Sequence, residues 1–303
     1  MTKNDITRGL IDFAVSQCLK NIKEDPYRSI RRLADLGRQF AKGRFQEELF
    51  SLFQRLLLNE DGPYYEMLKQ LVSSVDTDSL KTLGINIGYN SWTCGASRLR
   101  QITAKKDYPH WLAEISLSPE SSASQLKEQL SAALKNGTYA FRLHMPAQSI
   151  TTDTRQLGLI REFPDCSFFL DFMDTDCTYS DDLLELTCSC DNLAFLVPFG
   201  SLQSRQLVDL LNVRQRIYGV CHTYDNTNAA ERISDSQISE MLSWGSPLLF
   251  FLAAADTTQD NRLLVDNAIL DARLHQTYPA LLIHLDADVA RIQQLLLSSR
   301  KNL

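Results

Sequence analysis

Residues 248–252 read Leu-Leu-Phe-Phe-Leu and form the most apolar short run in the chain. A run this short suits a strand that is buried on both faces. Similar apolar, β-branched and aromatic runs recur along the chain at spacings of roughly 25 to 30 residues. Continuous runs of this kind are typical of parallel sheets, which are covered on both faces. They occupy residues 112–117, 139–144, 167–172, 193–197, 217–221, 248–252 and 280–284.

Helical stretches separate these runs. Two of the stretches begin with capping boxes, Ser122 with Gln125 and Ser234 with Gln237. Crossovers between parallel strands are right-handed, so successive strand–helix units curl in one direction. We therefore predict an α/β fold that contains an incomplete, TIM-like parallel (β/α) barrel of about seven βα units.

The residues before the first strand have a helical pattern. Asp25 followed by Pro26 is a favourable helix start, because aspartate caps the first turn and proline suits the first helical position. Residues 80–95 contain three glycines and predict an irregular segment that leads into the barrel. We predict a helical N-terminal region, residues 1–105, and a barrel domain, residues 106–303.

Composition narrows the class of protein. The chain has 303 residues, of which 44% are hydrophobic and 22% are charged, as in ordinary globular proteins. Its net charge of -6 argues against a nucleic-acid partner, because phosphate binding depends on clustered lysine and arginine. No apolar run approaches the roughly 18 residues of a membrane span. We expect a cytoplasmic protein that binds neither nucleic acid nor membranes, with reduced cysteines.

Several segments resemble a group of bacterial radical S-adenosylmethionine (radical SAM) proteins. Residues 83–91, Leu-Gly-Ile-Asn-Ile-Gly-Tyr-Asn-Ser, followed by Cys-Gly-Ala at 94–96, are similar to the segment that leads into the barrel of that group. Residues 218–226, Tyr-Gly-Val-Cys-His-Thr-Tyr-Asp-Asn, resemble its fifth strand. The resemblance covers most of the chain in order. It implies a helical N-terminal region followed by a partial barrel.

The motif that holds the catalytic cluster of this family is missing. Family members bind a four-iron, four-sulfur cluster through three cysteines in a C-x3-C-x2-C motif after the first strand. Here the corresponding residues 117–125 contain no cysteine, and the second strand ends His-Met-Pro-Ala at 144–147, without the family's glycines. We expect no 4Fe-4S cluster and no resident cofactor. Residual S-adenosylmethionine binding stays open, because backbone atoms form part of such a pocket.

Candidate site residues follow from the fold. Functional groups of parallel barrels lie at the C-terminal ends of the strands. Three of the five histidines occupy such positions, together with several aspartates. The candidate ligand-binding residues are His144, Asp171, His222, Asp256, His284 and Asp286.

Two functions of different classes are compatible with these residues. The first is a pseudoenzyme, a non-catalytic binding or regulatory partner of an active radical SAM relative or of a peptide. The second is a metal-dependent hydrolase in which His144, His222 and His284 are the metal ligands, since imidazole and carboxylate suit zinc, manganese or iron. A bound metal would lower the pKa of a water molecule and make it a nucleophile. We favour the first function.

A relocated cluster is a third, weaker alternative. Its ligands would be four cysteines that flank the third and fourth strands, Cys166, Cys177, Cys188 and Cys190. Their positions before and after the third strand argue against convergence on one cluster. A C-x-C pair such as residues 188–190 often belongs to an ordinary hydrophobic core. We therefore favour a structural role for these cysteines.

Overall fold

The structure, a computed structural model, describes residues 3–20, 22–41, 44–102, 109–117, 122–145, 154–172 and 181–298. Within these residues, seven strands form one sheet in which every neighbouring pair is parallel. The strands follow one another across the sheet in chain order. They are β1 (Leu112–Ser116), β2 (Ala140–Met145), β3 (Ser167–Phe172), β4 (Leu193–Pro198), β5 (Tyr218–Tyr224), β6 (Leu248–Ala253) and β7 (Leu281–His284).

Helices precede the sheet and connect its strands. Before β1 they are α1 (Lys3–Leu19), α2 (Pro26–Phe40), α3 (Arg44–Leu56), α4 (Pro63–Ser74), α5 (Thr77–Ile85), a π-helix (Asn86–Gly95) and α6 (Ala96–Ile102). After β1 they are α7 (Ala123–Lys135), α8 (Thr154–Gly158), a 3-10 helix (Leu159–Glu162), α9 (Asp181–Cys188), α10 (Leu202–Val213), α11 (Ala229–Arg232), α12 (Asp235–Leu242), α13 (Gln259–His275) and α14 (Leu285–Ser298). None of these described helices is both long enough and apolar enough to cross a membrane. The sheet curls into a half-barrel with helices around it, so the predicted incomplete α/β barrel is confirmed.

Side-chain caps fix where helices begin, as the sequence predicted. Asp25 Oδ1 accepts a hydrogen bond from the Arg28 N–H at 3.1 Å, and Pro26 is the first residue of α2. Ser122 Oγ accepts from the Gln125 N–H at 3.2 Å, while Gln125 Oε1 accepts from the Ser122 N–H at 2.9 Å. These bonds satisfy N–H groups that have no partner within the first helical turn.

Residues 80–95 are helical, whereas the sequence predicted an irregular segment. Within the π-helix, Asn86 Nδ2 donates to the Pro164 carbonyl at 2.9 Å, and Asn90 Nδ2 donates to the Asp165 carbonyl at 2.9 Å. These amides attach the helical region to the loop that precedes β3. The prediction was wrong because tertiary hydrogen bonds and packing outweigh the low helix propensity of glycine, which amounts to only about 1 kcal/mol per residue.

The sheet has two faces with different surroundings, because alternate residues of a strand point to opposite sides. On the convex face, Phe141, Phe168 and Phe195 belong to the main core, which the surrounding helices cover. On the concave face, Leu196 and Phe250 belong to a separate cluster that includes the start of α14. The parity of a strand residue therefore decides whether its side chain meets the outer helices or the inside of the half-barrel.

Helix α14 spans the open side of the half-barrel between the last strand and the first. Trp111, just before β1, donates from Nε1 to the Val289 carbonyl at 3.0 Å and from its backbone N–H to Gln293 Oε1 at 2.8 Å. Farther along the helix, Arg100 Nη1 donates to the Leu296 carbonyl at 2.7 Å. Helix α14 thus joins the two ends of the sheet, between which the described residues provide no eighth strand.

Candidate functional site

An ion-pair network lies on the concave face, where β1, β2 and β3 are adjacent. Glu114 is directly opposite Arg142 in the sheet, and His144 is opposite Asp171. Arg142 donates from Nε and Nη2 to Asp171 Oδ2, at 2.9 and 2.6 Å, and from Nη1 to Glu114 Oε1 at 3.0 Å. His144 Nε2 lies 3.4 Å from Glu114 Oε2, and its Nδ1 lies 3.3 Å from Asp171 Oδ2. We call these four residues the concave network.

The concave network is buried at one end and open at the other. The side chains of Arg142 and Asp171 are 8% and 6% exposed, whereas that of Glu114 is 54% exposed. Because a charge that leaves water must be paired, each buried member depends on the others. Removal of one partner would leave a buried charge uncompensated.

The charges of the concave network stabilise one another. Interaction with Asp171, and next with Glu114, raises the pKa of His144 to about 9, although burial and Arg142 oppose the rise. The hydrogen bond to His144, together with Arg142, lowers the pKa of Glu114 to about 2, against the effect of burial. At neutral pH the network therefore holds two cations and two carboxylates. A protonated His144 has no free lone pair, so it neither accepts a proton nor binds a metal ion.

A cleft of about 720 Å³ opens between β1 and α14. Glu114 connects the cleft with the concave network, and Asp286, in the first turn of α14, contributes a second carboxylate. Asp286 Oδ2 lies 3.4 Å from Arg262 Nη1. The cleft combines hydrogen-bonding side chains with a short apolar strip of α14. Its lining residues are His110, Glu114, Asp286, Val289, Ala290, Gln293, Gln294, Leu297 and Ser298.

The outer edge of β1 faces away from the rest of the sheet. The Leu117 N–H donates to the His144 carbonyl of β2 at 2.9 Å. Successive peptide groups of a strand point to opposite sides, so the groups of Ile115 also point towards β2. The N–H and C=O groups of Glu114 and Ser116 then point the other way. Within the described part of the chain, β2 is the one strand that pairs with β1.

His222 lies on the convex face of β5, away from the concave network. Its Nε2 is 3.2 Å from Gln237 Oε1 of α12, and its ring packs edge-on against Phe199 with 5.2 Å between ring centroids. Burial lowers the pKa of His222 to about 4, and Arg232 adds to this effect. His222 is therefore neutral at physiological pH and part of the packing between the sheet and α12.

His284 also lies on the convex side, at the end of β7. Its Nε2 is 2.8 Å from the Tyr224 hydroxyl, and its Nδ1 is 3.3 Å from Asp266 Oδ1 of α13. Its side chain is 3% exposed. Asp266 is also paired with Arg291 of α14. His284 is thus enclosed in a buried polar chain that connects β5, β7, α13 and α14.

The structure does not bring the three histidines of the metal-site alternative together. His144 is on the concave face, and His222 and His284 are on the convex face with different partners. Over the described ranges, no group of three or more histidine, cysteine, aspartate or glutamate side chains is arranged to hold a metal ion. The geometry therefore gives the hydrolase alternative no assembled ligand set in this part of the chain.

The remaining predicted site residues divide between the cleft and the surface. Asp286 lines the same cleft as Glu114. Asp256 is exposed in the loop after β6, where its carbonyl accepts from Asn226 Nδ2 at 3.0 Å. Of the six predicted site residues, His144 and Asp171 share the concave network, and Asp286 lies at the cleft beside it.

Four of the described cysteines are buried. Cys166, Cys188 and Cys190 lie in the convex core, where burial raises the pKa of each thiol, that of Cys166 to about 12. Cys221 is buried on the concave side, and its pKa is raised well above the usual value. Residues 118–121, 146–147 and 177, on which other predictions of the sequence fall, lie outside the described residues.

No family model matches this chain, and no curated protein matches it significantly. A relation to radical SAM proteins is therefore a prediction that rests on the sequence segments resembling that family alone.

Two members of the concave network, Glu114 and Arg142, were missed by sequence reasoning. Both lie in the middle of strands, whereas the rule for parallel barrels points to the ends of strands. The available signal was the alternation in β2, where Arg142 and His144 are two residues apart in an otherwise apolar run. Because a charge inside a buried strand needs a partner, Arg142 predicts a carboxylate on a neighbouring strand.

Proposed function

We propose that this chain is a radical-SAM-like pseudoenzyme that acts in the cytoplasm as a non-catalytic binding or regulatory partner. Its ligand is a peptide, or an extended segment of a protein, that pairs with the outer edge of β1. The observation that carries this proposal is the edge itself. The peptide groups of Glu114 and Ser116 point outwards, and Glu114 lines a cleft of about 720 Å³.

The surroundings of β1 suit the addition of a strand. An unpaired strand edge is a template for an incoming strand, whose main chain supplies hydrogen bonds and whose alternate side chains supply specificity. Helix α14 forms the opposite wall of the cleft. There, Val289 and Leu297 offer apolar contacts, while Asp286 and Gln294 offer polar ones.

The titratable side chains of the concave face favour binding over catalysis. His144 is protonated at neutral pH, and Arg142 is held between two carboxylates. The buried Cys221 thiol has a raised pKa, so it is not a thiolate. None of these three groups supplies a base or a nucleophile. Instead, the network ties β1, β2 and β3 together and keeps the edge of β1 in place.

Substitutions at Ser116 test strand addition. Ser116→Pro removes the outward N–H donor and leaves the hydrogen bonds to β2 intact. Ser116→Val is the matched control, because it also removes the hydroxyl but keeps the N–H. On an array of random ten-residue peptides, we expect the parent and Ser116→Val to capture the same subset and Ser116→Pro to bind it about tenfold more weakly.

The outcomes of this experiment separate the parts of the proposal. Equal binding by Ser116→Pro and the parent would exclude pairing through the edge of β1. Absence of any captured peptide for the parent would exclude peptides as the ligand class. Protection of the Glu114 and Ser116 amide protons from exchange, on addition of a captured peptide, would support the proposed geometry directly.

Metal analysis tests the non-catalytic part of the proposal. Iron and acid-labile sulfide are measured in protein purified without oxygen, before and after reconstitution with iron and sulfide. We expect neither at a stoichiometric level. Stoichiometric iron with sulfide would contradict the proposal, and one equivalent of zinc or manganese would favour the hydrolase instead.

A further inference from the structure

A cavity of about 270 Å³ lies inside the helical region, between α1, α2, α3, α5 and the π-helix. Its wall is mostly apolar and includes Ile11, Leu36 and Phe50. Among the described residues, none lines both this cavity and the cleft beside β1. A cavity of about 150 Å³ with an apolar wall stays dry and binds benzene, so this one accommodates a larger apolar molecule.

The few polar groups of the wall are already engaged. Gln46 Nε2 donates to the Trp92 carbonyl, and the Thr93 hydroxyl donates to the Gly88 carbonyl at 3.2 Å. The Tyr89 hydroxyl is hydrogen-bonded to residues outside the wall. A bound water would need two to four polar partners, which this wall does not offer. The wall therefore favours an apolar occupant over water and over a polar ligand.

Two glycines keep one side of the cavity free of side chains. Gly84 and Gly88 lie one turn apart and line the cavity, and Gly84 is exposed to solvent. A β-carbon at either position would meet no atom within 4 Å. Gly37 differs, because a β-carbon there would collide with the Phe50 ring. Close packing thus requires glycine at 37 but not at 84 or 88, where glycine instead leaves room open.

The charges at this side of the cavity indicate an uncharged occupant. Among the lining residues that the structure describes, Lys81 is the charged one, and it lies one turn before Gly84. Its ammonium group is 3.7 Å from Asp12 Oδ1 and 3.8 Å from Asp78 Oδ1. Two carboxylates therefore engage this one ammonium. An anionic head group would have to compete with these carboxylates for the ammonium, whereas an uncharged chain would not.

We propose that the helical region contains a binding site for an uncharged aliphatic molecule, which enters past Gly84 and Gly88 and occupies the apolar cavity. The site is independent of the cleft beside β1. Its ligand class is that of alkyl chains with a neutral end, such as an aliphatic alcohol. The probe for the site is 1-octanol, and octanoate is its charged counterpart.

Titration of the full-length chain with 1-octanol tests the proposal. We expect 1-octanol to raise the thermal unfolding midpoint, because it binds the folded state alone. By isothermal titration, we expect Gly84→Leu and Gly88→Leu to weaken binding at least about tenfold, since leucine fills the opening. Gly9→Leu is the matched control, because Gly9 is an open helical position that does not line the cavity. It should bind 1-octanol as the parent does.

Each result supports or overturns the proposal. Absence of binding to the parent, or equal binding by Gly84→Leu, Gly88→Leu and the parent, would overturn the site. Octanoate that binds as tightly as 1-octanol would overturn the uncharged ligand class. All three variants replace glycine within helices by a better helix former, so they are expected to fold. Circular dichroism of each variant verifies this before titration.

Discussion

Raising the pH from 6.5 to about 9 should destabilise the protein through His144. The folded state holds the proton of His144 more tightly than the unfolded chain, because its pKa is raised from 6.5 to about 9. Such a group contributes its full stability below the unfolded pKa and loses it as the pH rises through the folded pKa. At about 1.4 kcal/mol for each unit of pKa, the upper limit is about 3 kcal/mol. Since Glu114 is 54% exposed and solvent screens its charge, we expect about 2 kcal/mol.

Urea unfolding of the parent and of His144→Gln measures this contribution. We expect the free energy of unfolding of the parent to exceed that of the variant, most of all near pH 6. This difference should shrink by about 2 kcal/mol by about pH 9.5. Ionisation of buried thiols such as Cys166 also lowers the stability, beginning near pH 8.5. Because both proteins contain these thiols, this effect cancels in the difference between parent and variant. The variant His222→Gln, as a control, should lose stability at alkaline pH as the parent does. A difference between parent and His144→Gln that stays constant over this pH range would refute the role assigned to the concave network.

Three further predictions concern stability. Asp171→Asn should lower the free energy of unfolding by about 3–5 kcal/mol, as measured with urea, because two cations lose a buried partner; a change under about 1 kcal/mol would contradict the network. The pKa of His222 is lowered to about 4, so His222 should contribute up to about 3 kcal/mol to the free energy of unfolding above pH 6.5. This contribution is lost as the pH falls towards 4. Acid unfolding of His222→Gln should not show this loss of stability. In thermal melts, Gly37→Ala should destabilise by about 1–3 kcal/mol through collision with an aromatic ring of α3. Gly84→Ala should instead stabilise the protein by about 1 kcal/mol. Stability changes of the same sign for both substitutions would contradict the inference that close packing requires glycine at 37 but not at 84.

The strands were predictable from sequence almost to their ends. The run at 248–252 became β6, Leu248–Ala253, and the run at 167–172 became β3 without change. Continuous apolar runs mark such strands because both faces of the sheet are buried. The same property hides the face on which a side chain lies. In β5, the neighbours Cys221 and His222 are both buried although they point to opposite faces, so the sequence pattern does not show that His222 points outwards.

The candidate site was predictable only in part for this reason. His144 and Asp171 were recognised as strand-end residues, and the register brings them together. His284 was recognised by the same rule but belongs to the convex side, because its parity matches that of Leu282 in the main core. The cleft depends on where α14 runs after β7. No local pattern encodes that path, since it is set by contacts with residues such as Trp111, 178 positions away in the chain.

The path of α14 also has a consequence for the order in which the protein folds. Neighbouring strands are consecutive in the chain, so the sheet can grow unit by unit as the polypeptide leaves the ribosome. The contacts of α14 with Trp111 span 178 and 182 residues and form only after α14 has been synthesised. Until then, the apolar part of the concave face is not covered by α14. The nascent chain is therefore most vulnerable to aggregation after β7 has been synthesised and before α14 follows, and loss of α14 would prolong that state.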